Sequence, residues 1–396
     1  MSTPAGSPIL TRDFLLVTTS SLLAVSGFSA TLPLVPRFVE GELDGGKVAV
    51  GVAVGIFSIS ALLIRPLIGH LGDTRGRRLL IVAGCGLTGI AIAAHGLAGS
   101  LAALLVIRFV MGGTQTGFFV GSTTIVTDIA PPDQRGKATS WFGVSIYGGQ
   151  ALGPIVGETV ESFAGFTGAF IAAGALMLLG GAVATALPSY RPEPTPTSAI
   201  GAPVRRRLIH RAALAPGAIL ALGIVSFIAF TAFMPLYVDE RGLGRSAPIF
   251  ALYALTVLVA RFFGSSIPDR FGTVTTATGA LVGVIAGMAT LWAWPSTMGL
   301  IVGTLISALG GSILFPALLV SAVHNVPDGE RTLATSTFTA SFEVSAGIGA
   351  PILGLAAAAA DTSAAAFGVA ALSAAIALPV LHLWLGRSPQ AIPGTN

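Results

Sequence analysis

Gly69-His70-Leu71-Gly72-Asp73-Thr74-Arg75-Gly76-Arg77-Arg78 gathers one acid, three arginines and three glycines in a chain where only 10% of residues are charged. Apolar runs of about 20 residues flank it on both sides, each long enough to cross a hydrocarbon core about 30 Å thick. The stretch reads as a tight turn between two membrane-spanning helices. Its glycines permit close approach and positive φ, and its charges stay at the water boundary.

The whole composition agrees. Hydrophobic residues make up 53% of 396 residues and mean hydropathy is +0.85. A soluble domain of this length cannot hide so much apolar surface, whereas a stack of spanning helices can. Alternating segments of about 10 residues, the mark of a transmembrane barrel, do not occur. The expected class is therefore an all-α membrane protein.

Outward from the turn, helices are expected near 14–35, 48–68, 79–97, 101–127, 138–160 and 165–187. A second set is expected near 212–236, 246–266, 273–293, 297–323, 333–357 and 363–385. That makes twelve. The first run is longer than a signal-peptide core and has no clean A-x-A site, so it counts as a span. Residues 189–211 are Pro/Thr/Ser-rich and carry Arg205-Arg206-Arg207, the composition of a linker. The expected organisation is a bundle over 1–188, a linker over 189–211 and a second bundle over 212–396.

Basic residues orient the chain. With both termini on one side, that side holds Arg12, Arg75, Arg77, Arg78, Arg135, Lys137, Arg191, Arg205, Arg206, Arg207, Arg211, Arg270, Arg331 and Arg387. The other holds only Arg37, Lys47, Arg241 and Arg245. The positive-inside rule makes the first side cytoplasmic, so a multi-pass protein of the cell's inner membrane with both termini inside is expected. The net charge of +4 sits in these short loops and is no sign of nucleic acid. The five histidines are scattered and Cys85 stands alone in an apolar run, so neither a metal site nor an intrachain disulfide is expected.

The chain also repeats itself. Arg65, Asp73 and Gly76 recur as Arg261, Asp269 and Gly272, all at an offset of 196. Ala138-Thr139-Ser140 recurs as Ala334-Thr335-Ser336 at the same offset, and Pro154-x-x-Gly157 recurs as Pro351-x-x-Gly354. Gly112-Gly113 recurs as Gly310-Gly311. Four sites in register mean two six-helix halves in parallel repeat.

These residues resemble the major facilitator superfamily of secondary transporters over essentially the whole chain. Gly69, Leu71, Asp73, Gly76, Arg77 and Arg78 match its loop 2–3 signature, with a faded copy at Asp269, Arg270 and Gly272. Arg108, Gly112 and Gly117 look like its helix-4 motif. Gly149-x-x-x-Gly153-Pro154-x-x-Gly157 resembles the helix-5 motif of the 12-helix drug/proton antiporter branch, although Glu158 stands where that motif ends in glycine. The resemblance implies two six-helix bundles, alternating access, no cofactor and no enzymatic activity. It implies a conformational latch at Gly69, Asp73, Arg75, Gly76 and Arg77, with Asp128 as partner of Arg75 or Arg77, and a second copy at Asp269 and Arg270.

Glu343 is read as the acid deepest in a span, where charge is costly and a carboxyl can trade protons. Arg108 is its matching cation, heading a stripe with Gly112, Gln115, Phe119 and Ser122 on one face of helix 4. Phe227, Phe230, Phe233 and Tyr237, spaced 3, 3 and 4, form an aromatic stripe, and its phenylalanines with Phe28, Phe118, Phe119 and Phe315 are expected around a cavity for a lipophilic substrate. The glycines of helix 5 are expected to form the seam on which the halves rock. The expected activity is proton-coupled efflux of hydrophobic or amphipathic small molecules by a monomer in the lipid bilayer. A sugar or metabolite carrier of the same fold is the first alternative, and a non-transporting sensor or lipid-handling protein the second.

Overall fold

The computed structural model describes residues 10–131, 134–189, 209–264, 271–324, 326–327 and 330–384. All regular structure among them is helical. In chain order come α1 (Arg12–Arg37), α2 (Gly46–Arg75), α3 (Arg77–Ala94) and α4 (Leu101–Ile129). The stretch Arg135–Ala184 is broken at Gly165, where φ is 66° and ψ is −177°, into α5 (135–164) and α6 (166–184). Then follow α7 (Leu214–Glu240), α8 (Ala247–Gly264), α9 (Thr273–Ala293), α10 (Thr297–Val323), α11 (Arg331–Ala359) and α12 (Ala364–Trp384). Ten stretches are long and apolar enough to cross a bilayer, one of them the divided 50-residue stretch, and Ala247–Phe263 is a shorter apolar helix.

Large apolar side chains such as Leu63, Val106, Phe262 and Phe263 are exposed all round the bundle. Hydrocarbon rather than water is the medium they fit, and helices satisfy their own backbone there. Caps mark several starts: the Thr11, Ser100 and Ser296 hydroxyls accept from Phe14, Ala103 and Gly299 N–H.

The decisive stretch differs from expectation in an instructive way. Helix α2 does not stop near 68 but runs through Gly69–Thr74 to Arg75, and α3 starts at Arg77. The whole turn is Gly76, at φ 94° and ψ 155°, a region that suits glycine. Charges near the bilayer surface do not break a helix, and only the reversal needs glycine. Its repeat partner Gly272 has φ 77° and ψ 160° and begins α9 the same way. The repeat read in sequence is thus a repeat of backbone geometry.

In the first set of helices, α1 packs on the α5–α6 stretch, α2 and α3 on α4, and α3 on the α5–α6 stretch. In the second, α9 packs on α10, α12 on α7 and α9, and α11 on α7. The sets meet where α2 touches α11, α5 touches α8 and α1 touches α7. Residues 190–208, most of the expected linker, lie outside the described residues.

Helix 5's glycines do not line a joint between the sets. Gly149, Gly153 and Gly157 bring α5 against the backbone of α1 at Leu22, Ser26 and Ala30. The joint rich in glycine is α2–α11, where Gly51 and Gly55 meet Ala350, Gly347 and Pro351, and Gly354 meets Lys47 and Val48. With no Cβ in the way, backbones approach closely and gain dispersion contact that hydrophobicity cannot supply in lipid.

Gly153 tests that account, because a Cβ there would run into backbone atoms of Ser26 and Ala30. Gly153→Val is expected to destabilise the fold by about 1–3 kcal/mol, the usual cost of overpacking. A lower unfolding temperature in detergent checks it, and an unchanged one would refute close α1–α5 packing.

Candidate functional site

Ionisable groups sit at three levels along the helices. One is the arginine-rich face, which carries the Gly76 turn. Another is the opposite, acid-rich face. The third lies between them.

At the arginine-rich face Arg77 Nη1 is 3.1 Å from Asp128 at the end of α4. Arg78 donates to the carbonyl of Leu187, just past α6, at 3.0 Å. Of the two partners expected for Asp128, the structure brings Arg77. These bonds tie α3 to α4 and to the end of α6, all inside the first set of helices. Gly69 and Asp73 lie in the last turns of α2, with Arg75 closing it. The side chain of Asp73, and Asp269 and Arg270 altogether, lie outside what the structure describes.

Between the faces, Glu343 is partly buried on α11 and lies 4.0 Å from Arg65 Nη1 of α2. Arg65 Nη2 donates to Thr339, one turn before Glu343, at 3.1 Å. Arg65 therefore straps α2 to α11 across the joint between the two sets. Its repeat partner Arg261, on α8, stands over the ring of Tyr147 on α5, with the guanidinium carbon 5.2 Å from the centroid. Each arginine of the repeat pair thus bridges one of the two lateral joints.

Arg108 is not beside Glu343. It is 7% exposed, its Nε donates to the Ala53 carbonyl at 3.0 Å, and its guanidinium lies 5.1 Å from the Phe57 centroid. Ala53 and Arg65 are both on α2, 12 residues apart, which is roughly 18 Å at 1.5 Å per residue. Along the α4 stripe, Arg108 and Ser122 are buried whereas Phe119 is 46% exposed, and the arginine is spent on a neighbouring backbone. Gly112 helps, since its missing Cβ makes room for the Phe57 carbonyl.

The expected aromatics separate into two kinds. Phe118, Phe230 and Phe233 are buried packing groups, Phe118 against Gly84 of α3 and Phe230 against Phe250 and Tyr253. Phe28, Phe227, Phe315 and Gln115 are partly buried, and Phe119 is 46% exposed. Phe28 meets Phe57 at 5.7 Å, Phe227 meets Tyr253 at 5.8 Å and Phe342 at 6.0 Å, and Phe315 meets Phe338 at 5.3 Å. A spacing of three and four on a very apolar helix does not distinguish its inner from its outer side, which is why Phe230 and Phe233 joined the stripe.

Sequence reasoning missed the acid-rich face. Arg37, at the end of α1, forms a two-pronged bond to Asp239 of α7 at 2.6 and 2.8 Å and reaches Glu158 of α5 at 2.7 Å. Glu158, only 1% exposed, also accepts from Ser246 and Ala247 at the start of α8. Beside it, Lys47 of α2 pairs with Glu240 of α7 at 3.1 Å and with Glu40 at 3.5 Å. Glu240 in turn accepts from Ser363 N–H and hydroxyl, ahead of α12. Arg37 and Lys47 thus clamp the end of α7, and every clamp joins the first set of helices to the second. The signal was present in the sequence as Glu158, the one residue departing from the helix-5 motif.

Among the described residues no group of three His, Cys, Asp or Glu could hold a metal ion. Residues 17–297 and 249–396 match the sequence profile of the Major Facilitator Superfamily. An uncharacterized MFS-type transporter of Salmonella typhimurium, STM4428, is 29% identical over 85% of this chain and 88% of its own length. The human organic anion transporter MFSD10 superposes with a TM-score of 0.68 at 20% identity, over 93% of this chain and 99% of that one. The nucleoside transporter NupG does so with a TM-score of 0.72 at 12% identity, over 95% and 99%. Such different cargoes on one architecture leave the substrate to the side chains. The profile, together with the twelve helices among the described residues, places this chain in the Major Facilitator Superfamily, as a membrane transporter.

Proposed function

We propose that this transporter exports hydrophobic or amphipathic small molecules in exchange for protons, by alternating access between its two six-helix halves. The proposed halves are 1–188 and 212–396, joined by a cytoplasmic linker at 189–211. One observation carries the reading: the Glu343 carboxylate faces Arg65 across the α2–α11 joint. A proton on Glu343 cancels its charge and with it the pull on Arg65, so a strap between moving halves becomes sensitive to proton supply. A bound ligand shifts such an equilibrium only through its differential affinity for the two states, and a proton on Glu343 has that difference.

Substrate would bind between the halves near mid-depth. The ring groups Phe28–Phe57 and Phe227–Tyr253–Phe342 offer apolar surface to a lipophilic cargo. Phe119, Gln115 and Phe315 belong to the same proposed lining. Arg108 fixes α4 to α2 and so holds that lining in place. The Gly76 turn serves as the latch: Arg77 and Asp128 hold α3 to α4, and Asp73 and Arg75 sit where the second half must pass. The arginine-rich face is then cytoplasmic, and the membrane is the inner one.

Two measurements test this. In proteoliposomes under an imposed pH gradient, the wild-type protein is expected to move lipophilic dyes, and Glu343→Gln to reduce that flux to background while still folding. Full gradient-driven flux in Glu343→Gln would remove the coupling role. Asp128→Asn is expected to slow turnover several-fold without altering expression or dye binding. Unchanged turnover would reduce the Gly76 turn to a determinant of topology.

A further inference from the structure

We propose that Glu158 is a gating residue, one that closes the acid-rich face by capping, from the opposite half, the N-terminus of α8. The transport cycle must break this cap to open that face.

The inference starts from the first turn of α8. The Ser246 carbonyl accepts from Ile249 and Phe250 N–H, so Ser246 occupies the N-cap position. An N-cap serine ordinarily turns its hydroxyl onto the N–H groups of its own helix. Here the hydroxyl donates instead to Glu158 Oε1. Glu158 then takes over the cap: Oε1 accepts from Ser246 N–H and Oε2 from Ala247 N–H, both at 3.1 Å. Its negative charge lies where unpaired N–H groups and the positive end of the helix dipole favour an anion.

The carboxylate is committed to this arrangement. It is buried, so separation of α5 from α8 would leave it with Arg37 alone and strand a hydroxyl and two N–H groups until water enters. A buried polar group left without its partner costs more than an ordinary hydrogen bond contributes. Arg37 reinforces it, bridging Glu158 on its own half and Asp239 on the other. A polar cavity of about 310 Å³, lined by Arg37, Glu158, Glu161, Asp239, Gly244 and Arg245, adjoins the cap and supplies the route by which water would reach it. The glycine that the helix-5 motif carries at this position could accept none of these bonds through a side chain. The departure from the motif is therefore a gain of contact between halves.

The test reads conformation and needs no substrate, so it stands or falls separately from proton-coupled export. In a Cys85→Ala background, Gly99→Cys before α4 and Thr297→Cys in the first turn of α10 place spin labels at exposed positions of the two halves at the acid-rich face. Gly41→Cys with Gly99→Cys gives a control pair within the first half. In the full-length protein in lipid nanodiscs, the wild type is expected to show a short inter-half distance. Glu158→Gln is expected to shift the closed-to-open ratio about tenfold or more toward longer distances, with the control pair unchanged. Glu158→Asp is expected to restore part of the closed population. Ser246→Ala, which removes one bond and keeps the carboxylate, is expected to shift the same way by less, and it supplies the result if Glu158→Gln does not fold. Inter-half distances that match wild type in the folded variants would overturn the proposal, as would equal lengthening of the control pair.

Discussion

Close backbone approach is the constraint on which this structure depends. Hydrocarbon gives helices no hydrophobic reason to associate, so they must touch over enough surface for dispersion to hold them. Glycine makes that possible at Gly84 against Phe118, at Gly153 against Ser26 and Ala30, and at Gly51 against Ala350. The first two contacts lie within one half and the third lies between halves. The same chemistry therefore builds both the rigid bodies and one joint between them.

Polar contacts stand beside this packing both within a half, as with Arg77 and Asp128, and between halves. Within the first half, Arg108 donates to a backbone carbonyl, and that carbonyl needs no counter-charge to hold it. Between halves the contacts are mostly ionic or directed at helix ends: Arg37 with Asp239, Lys47 with Glu240, Glu158 with α8, Arg65 with Glu343. Such bonds are strong when dry and cheap to replace when water arrives. Apolar packing has no comparable response to hydration. The acid-rich face is closed by several of them, and the α2–α11 joint by a single strap midway down.

How much the sequence disclosed follows from the range of each interaction. Spans and the repeat were legible because hydropathy and spacing are local, and twelve helices stand near where they were expected. The end of α2 was not, because the charges of His70, Asp73 and Arg75 suggest a loop although nothing in a charged side chain forbids a helix at the bilayer surface. Pairings were legible only where the chain is short: Arg77 with Asp128 joins the ends of neighbouring helices, whereas Arg65 with Glu343 joins residues 278 apart. Arg108 and Glu343 were matched as the deep cation and the deep anion, a sum over charges that ignores depth. The level of Ala53 on α2 separates them.

The two lateral joints stand at equivalent places in the repeat and carry different contacts. Arg65 and Arg261 hold equivalent places on α2 and α8, and an exact two-fold relation would give each the same partner. Arg65 meets the acid Glu343 on α11 and Arg261 meets a ring on α5, so one joint holds an ion pair while its counterpart holds an arginine on the face of Tyr147. An ion pair loses its attraction when the acid takes a proton, but a cation over a ring does not. On the proposed coupling, the α2–α11 joint is the one that proton supply loosens. The α5–α8 joint carries instead the cap at its far end, where Glu158 meets Ser246 and Ala247. Divergence of the two halves has left each joint with its own polar contacts, an ion pair at one and a ring stack and helix cap at the other.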